Sequence, residues 1–220
     1  MMYGIVCSGV VKEGIPVGER VSCYVDGYNF YCGLKDRSGR RWLWLDYGSL
    51  CQRLLKPGQT LLKVRFCTAP VRNDPEARAR QIAYWRALRS DSRLVIHEGV
   101  HARRRRSCAQ CGMITQTYEE KQTDSWIASL MVADALADRG DIFILLAGDS
   151  DHIPPVRTIL KERPEKRVVI GWPPHRRSND LGKAASASFS VSDQLIRSSQ
   201  FPETVLLPNG DRVRRPPSWS

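Results

Sequence analysis

An α/β fold on a mainly parallel central sheet is what this sequence predicts, and three observations carry the prediction. Short β-branched and apolar runs, such as Val21-Ser22-Cys23-Tyr24-Val25 and Ile142-Phe143-Ile144-Leu145-Leu146, alternate along the chain with helical patterns. The second run is apolar throughout, as in a strand covered on both faces. Both runs deliver aspartate at their ends, Asp26 after the first and Asp149 with Asp151 after the second. Strand–helix–strand order implies right-handed crossovers, and 220 residues suffice for one substantial core.

Residues 1–20 carry glycines and mixed charge without a period, so a leader is expected there, poorly ordered or forming an accessory strand. The first strand is expected over 21–25 and a helix or turn over 28–34. Residues 47–55 read as a short helix stopped by Lys56-Pro57-Gly58. Alternation over 61–67 predicts a strand. Ala77, Ile82, Trp85 and Leu88 recur at near-helical spacing and predict a surface helix over 74–90. After a short strand at 94–96, residues 97–118 are basic, contain Cys108 and Cys111, show no period, and read as an insertion. Thr123 is expected to cap a helix bearing Ile127, Leu130, Met131 and Leu136 and ending near Gly140. A strand over 142–146, a helix over 155–162, a strand over 167–171 and a last helix over 179–187 follow. One domain then spans 21–200, and 201–220 is expected to be a loop-rich tail of prolines and arginines.

Thirty-four Lys and Arg against 23 Asp and Glu leave a net charge of +11, which attracts a polyanion, most commonly nucleic acid. A merely solvated surface is the plain alternative. No run approaches the roughly 18 apolar residues of a membrane span, and the first residues lack the features of a signal peptide. A cytoplasmic protein with no membrane partner is expected, and a homodimer is left open. The seven cysteines are an odd number, and Cys23, Cys32, Cys51 and Cys67 sit in apolar contexts, so no disulfide framework is expected.

In an open parallel sheet, functional groups gather beyond the carboxyl ends of the strands. Asp26 and Asp149 end strands there, and Asp124 sits in the first turn of its helix, so the three are expected to converge. Clustered carboxylates raise one another's pKa or need a cation, and Mg²⁺ or Mn²⁺ is the economical answer. Asp26, Asp124, Asp149 and Asp151 are the candidate ligands. Taken alone, Asp149-Ser150-Asp151 is a polar turn capping the next helix. Asp134 lies ten residues past Asp124, about 15 Å along a helix, and is expected to hold a structural partner instead.

Cys108-Ala109-Gln110-Cys111 has the spacing of half a zinc knuckle and needs two further ligands, for which His97 and His101 are nearest and Cys67 is more distant. Structural zinc, a free thiol pair and redox chemistry remain open. Affinity for a phosphate backbone is expected from Arg103, Arg104, Arg105 and Arg106, with Lys121, Arg176 and Arg177 extending the path. Trp172 stacks a base if exposed, although burial is the commoner fate of a tryptophan.

Three separated motifs resemble the NYN-domain family, a branch of the PIN-like (five-prime-nuclease-like) superfamily, and specifically its bacterial members. The motifs are Val25-Asp26-Gly27-Tyr28-Asn29-Phe30-Tyr31, Glu119-Glu120-Lys121-Gln122-Thr123-Asp124, and Leu145-Leu146-Ala147-Gly148-Asp149-Ser150-Asp151 followed by Pro154-Pro155. Residues 178–189 and Arg215-Pro216-Pro217-Ser218-Trp219 extend the likeness over about 20–219. The resemblance implies a Rossmann-like three-layer sandwich and a metal-dependent ribonuclease, with Asp26, Asn29, Asp124, Asp149 and Asp151 as the matching site positions. Relatives in this branch carry a similar cysteine pair before Glu-Glu-Lys, which favours zinc. His152 departs from the family, whose members usually have Phe or Leu there; a structural group is expected, with proton transfer as the alternative. The expected function is an endoribonuclease using metal-activated water and leaving a 5′-phosphate and a 3′-hydroxyl. Its alternatives are a non-catalytic RNA-binding or regulatory module and a DNA nuclease or phosphatase with the same metal site. Intact acids argue against a pure binding surface, which has no need of anions where phosphates approach.

Overall fold

A computed structural model describes residues 18–107 and 110–219. Most of the expected leader, and Cys108, lie outside the described residues. The chain forms β1 (Arg20–Asp26), α1 (Gly27–Ser38), α2 (Tyr47–Leu54), β2 (Thr60–Thr68), α3 (Pro75–Leu88), β3 (Leu94–Glu98), β4 (Val100–Ser107) and β5 (Ile114–Lys121). It continues through α4 (Thr123–Leu136), β6 (Ile142–Leu146), α5 (Ile153–Glu162), β7 (Arg167–Trp172), α6 (Asn179–Ala184), β8 (Ala187–Ser190), α7 (Asp193–Ser198), β9 (Thr204–Leu206) and β10 (Arg212–Arg214).

Six strands form one sheet in the order β3-β2-β1-β6-β7-β8, every neighbouring pair parallel. The period of two along each strand builds the layers. Val21, Cys23 and Val25 of β1 and Ile142, Ile144 and Leu146 of β6 enter one core with Phe30 and Leu34 of α1, Leu50 of α2 and Leu88 of α3. Tyr24, Phe143 and Leu145, the residues between them, enter a second core with Ile127 and Met131 of α4, Val156 and Ile159 of α5, and Leu181 of α6. Helices therefore cover both faces, giving the three-layer α/β sandwich. Chain order leaves β1 toward β2 and β3 on one side and returns at β6 to build the other. The β1–β6 boundary is the point where such sheets open a crevice at their carboxyl edge.

Three segments carry structure that the sequence does not predict. The insertion expected over 97–118 contains β4 and β5, which pair antiparallel from Val100↔Lys121 to Ser107↔Ile114 as a separate two-stranded hairpin. Their residues lack apolar alternation because the ladder joins no other strand, so no core face writes a period into the sequence. Residues 201–219, expected as a loop-rich tail, also hold a short packed hairpin. β9 and β10 form a hairpin, and Phe201, Val205, Val213 and Trp219 are buried in the first core, with the Trp219 ring 5.5 Å from Tyr84 and 6.2 Å from Trp44. The stretch 179–187 divides into α6 and β8, with extended backbone at Ala185 between them.

Asp134 occupies the structural position its spacing requires. It is 2 % exposed, accepts from the Tyr24 hydroxyl at 2.6 Å, and is gripped by Arg65 at 2.8 and 3.0 Å and by Arg139 at 2.7 Å. Burial pushes its pKa up, but the bonds from Arg65, Tyr24 and Arg139 outweigh burial and hold it below the usual carboxylate range.

Candidate active site

Asp26 ends β1 and caps α1, its Oδ1 accepting from the Asn29 backbone N–H at 3.0 Å. Asn29 then accepts through its own Oδ1 from the Gly148 N–H, also at 3.0 Å. These two bonds join the start of α1 to the loop after β6, so the loops carrying Asp26 and Asp149 are fixed to each other. Glycine is required in both: a Cβ at Gly27 would lie 2.7 Å from Phe66 Cζ, and one at Gly148 would lie 2.6 Å from the Arg176 carbonyl carbon. Asp149 caps the short 3-10 turn Ser150–His152, its Oδ1 accepting from the Asp151 N–H at 3.0 Å. Asp124 stands in the first turn of α4, which Gln122 caps, not Thr123; Gln122 takes φ 78° and makes no side-chain cap bond.

The turn after Asp149 brings His152 back under the crevice. Its side chain is wholly buried, and its Nε2 lies 3.7 Å from Asp26 Oδ2 and 3.8 Å from Asp124 Oδ1. One ligand atom from each of Asp26, Asp124 and His152 lies within 4.8 Å of the others, the compact metal-competent group among the described residues. Neither ring nitrogen of His152 has a hydrogen-bond partner. Orphaned buried nitrogens beside two carboxylates, at separations beyond a hydrogen bond, fit a divalent cation, which takes oxygen and imidazole ligands together. Burial raises the Asp124 pKa, as do Asp26, Asp149 and Asp151, while His152 opposes the shift. A cation removes that repulsion.

The cleft above this group is lined by Asp26, Asn29, Asp124, Asp149, Lys121 and Arg176, among others. A family model of the NYN domain matches residues 20–193. The chain belongs to the NYN-domain family. A search of the curated proteins returns no match. Among solved structures, a protein of unknown function from Vibrio parahaemolyticus is similar at 20 % identity and TM-score 0.58, over 82 % of this chain and 97 % of that one. That likeness shows the fold. Family membership places the chain among PIN-like nuclease domains, and the acidic group accords with a divalent metal in such a domain.

In this NYN domain, Asp26 and Asp124 meet as the sequence predicts, and Asp149 and Asn29 line the same cleft. Asp151 is exposed and does not line it. Lys121, at the end of β5, and Arg176 flank the cleft; Arg176 also donates to Asp36 at 2.6 Å. Arg177 turns to the buried Trp172 ring, 6.0 Å away, which leaves that ring unavailable for base stacking. Arg103, Arg104, Arg105 and Arg106 lie on β4; Arg105 is exposed, and the side chains of the other three lie outside the described ones.

Of the residues expected to hold zinc, Cys108 lies outside the described residues, and His97, His101 and Cys111 stand apart. His101 lines the cleft with Nε2 2.8 Å from the Pro70 carbonyl oxygen, and the His97 ring lies tilted against Trp126 at 5.3 Å. Six residues of extended strand, about 20 Å, separate His101 from the end of β4, beyond which Cys111 is exposed in the turn. Burial pushes the Cys67 thiol up to about 12, with Asp26 adding to the shift, so it remains a protonated thiol. His152 is the participant that sequence reasoning underweights. Its signal is its place three residues after Asp149, one 3-10 turn, which returns a side chain to the same side.

Proposed function

We propose that this NYN domain is a metal-dependent endoribonuclease that hydrolyses RNA phosphodiester bonds. The observation that carries the reading is the convergence of Asp26, Asp124, His152 and Asp149 at the β1–β6 switch point, in a cleft flanked by Lys121 and Arg176. A divalent ion held there by Asp26, Asp124 and Asp149 would supply an activated water and would neutralise charge on the phosphate and leaving oxygen. Asn29 sets the spacing of the two loops through its paired bonds, 3.0 Å each. Asp151, expected as a further ligand, stands exposed two residues past Asp149 and outside the cleft lining. Lys121, Arg176 and the arginines of β4 draw in the phosphate backbone, aided by the net charge of +11.

Asp149→Asn tests the reading. Cleavage of a labelled RNA should fall at least about 100-fold, with the fold intact and RNA affinity equal or higher, because the change removes both metal affinity and local repulsion. Undiminished cleavage would remove Asp149 from the site. Absence of cleavage by the wild-type protein, with RNA still bound, would favour a binding module.

A further inference from the structure

We propose that His152 is a direct nitrogen ligand of the divalent ion, and that it biases the site toward a first-row transition ion over Mg²⁺. The inference rests on the metal-dependent reading above.

Three observations meet at this residue. The imidazole is wholly buried, yet both ring nitrogens lack a hydrogen-bond partner, a costly arrangement for a polar side chain. Nε2 is aimed at two carboxylates, 3.7 Å from Asp26 Oδ2 and 3.8 Å from Asp124 Oδ1. Those separations are too long for hydrogen bonds and close to the spacing of two ligands on one ion. Ligand atoms each about 2.1 Å from a metal stand roughly 3.0–3.4 Å apart at octahedral or tetrahedral angles. Movements of a few tenths of an ångström bring both carboxylates to the tetrahedral ligand spacing from Nε2, and all three ligand atoms already lie within 4.8 Å of one another. The third observation is positional: the turn Ser150–His152 is anchored by Asp149 Oδ1 on the Asp151 N–H at 3.0 Å, so the imidazole is presented by a braced turn.

The donor set is then two carboxylates and an imidazole. Mg²⁺ prefers all-oxygen octahedra and retains its waters, whereas transition ions gain from a nitrogen donor. A buried histidine in place of an oxygen ligand therefore discriminates between metals that carboxylates alone would accept alike.

The test uses the full-length protein stripped with EDTA and titrated separately with Mn²⁺ and Mg²⁺, and pulsed electron paramagnetic resonance of the Mn²⁺-loaded form. Wild type should bind Mn²⁺ more tightly than Mg²⁺ and show the coupling of a directly bound imidazole nitrogen. His152→Phe should lose that coupling and about tenfold in Mn²⁺ affinity, while Mg²⁺ affinity changes less than about threefold. Mn²⁺ binding without nitrogen coupling in the wild type would overturn the inference while leaving the metal-dependent reading intact. So would coupling that survives in His152→Phe, which would assign it to another histidine such as His101. An unchanged Mn²⁺ to Mg²⁺ ratio would do the same. Failure of the wild type to bind either ion would overturn both. The wild-type spectrum decides even if His152→Phe folds poorly.

Discussion

Asp134 and Asp124 lie on one helix and serve opposite ends of the sheet. Asp134 is surrounded by donors, and its carboxylate is held below the usual range by Arg65, Tyr24 and Arg139 against the cost of burial. Asp124 faces other carboxylates and is raised. Spacing along the helix is enough to separate the two roles, because ten residues is close to three turns and about 15 Å. What spacing does not supply is His152, whose significance depends on burial and on a turn that only the fold shows. Asp134→Ala should cost about 3 kcal/mol at neutral pH, since it strands a mostly buried Arg65 beside an empty carboxylate site. A depressed folded-state pKa means that this contribution is present above the unfolded value, about 3.9. It is lost as pH falls through the lower folded value. The difference in stability between wild type and variant, measured by urea unfolding, should therefore be constant from pH 7 to about 5 and shrink in more acid solution. A gap that stays constant into acid, or one near zero at neutrality, would contradict the ion-pair account.

At the scale of elements, the junction of β1 and α1 does the positioning. Gly27 begins α1 where β2 passes so closely that a Cβ would meet Phe66 Cζ at 2.7 Å and the Cys67 carbonyl oxygen at 2.9 Å. Gly27→Ala should displace the first turn of α1, carrying Asp26 and Asn29 with it, and destabilise the protein by about 1–3 kcal/mol. The urea midpoint reads this directly, and an unshifted midpoint would show that the junction yields without strain. Elements that contribute to the two cores, such as β1, β2, β6, α3 and α5, are legible in the sequence because burial imposes a period on their residues. The β4–β5 hairpin is not, because its ladder joins no other strand among the described residues and its basic residues run without apolar alternation. β9 and β10 escape sequence reading for another reason: three residues each are too few to establish a period. Their anchors, Val205, Val213 and Trp219, stand isolated in a run of prolines and arginines.

Across the whole molecule, topology brings the site together. Asp26, Asp124 and Asp149 are spread over more than 120 residues, and a parallel sheet whose order reverses between β1 and β6 delivers them to one crevice. The order of the NYN-domain motifs makes that convergence readable from sequence, while His101 and Cys111, two of the residues that suggest a zinc site, stand at opposite ends of the β4 strand. A net charge of +11 surrounds this local acidic group, so the molecule draws a polyanion toward a point that repels it until a cation is bound. The direct test of that account is the chemistry of the ends. Incubating a labelled single-stranded RNA, and its DNA counterpart, with the protein and Mn²⁺ should give RNA fragments bearing 5′-phosphate and 3′-hydroxyl termini, and EDTA should abolish them. Cutting that persists in EDTA and leaves 2′,3′-cyclic phosphates would contradict a metal-dependent centre at Asp26 and Asp124.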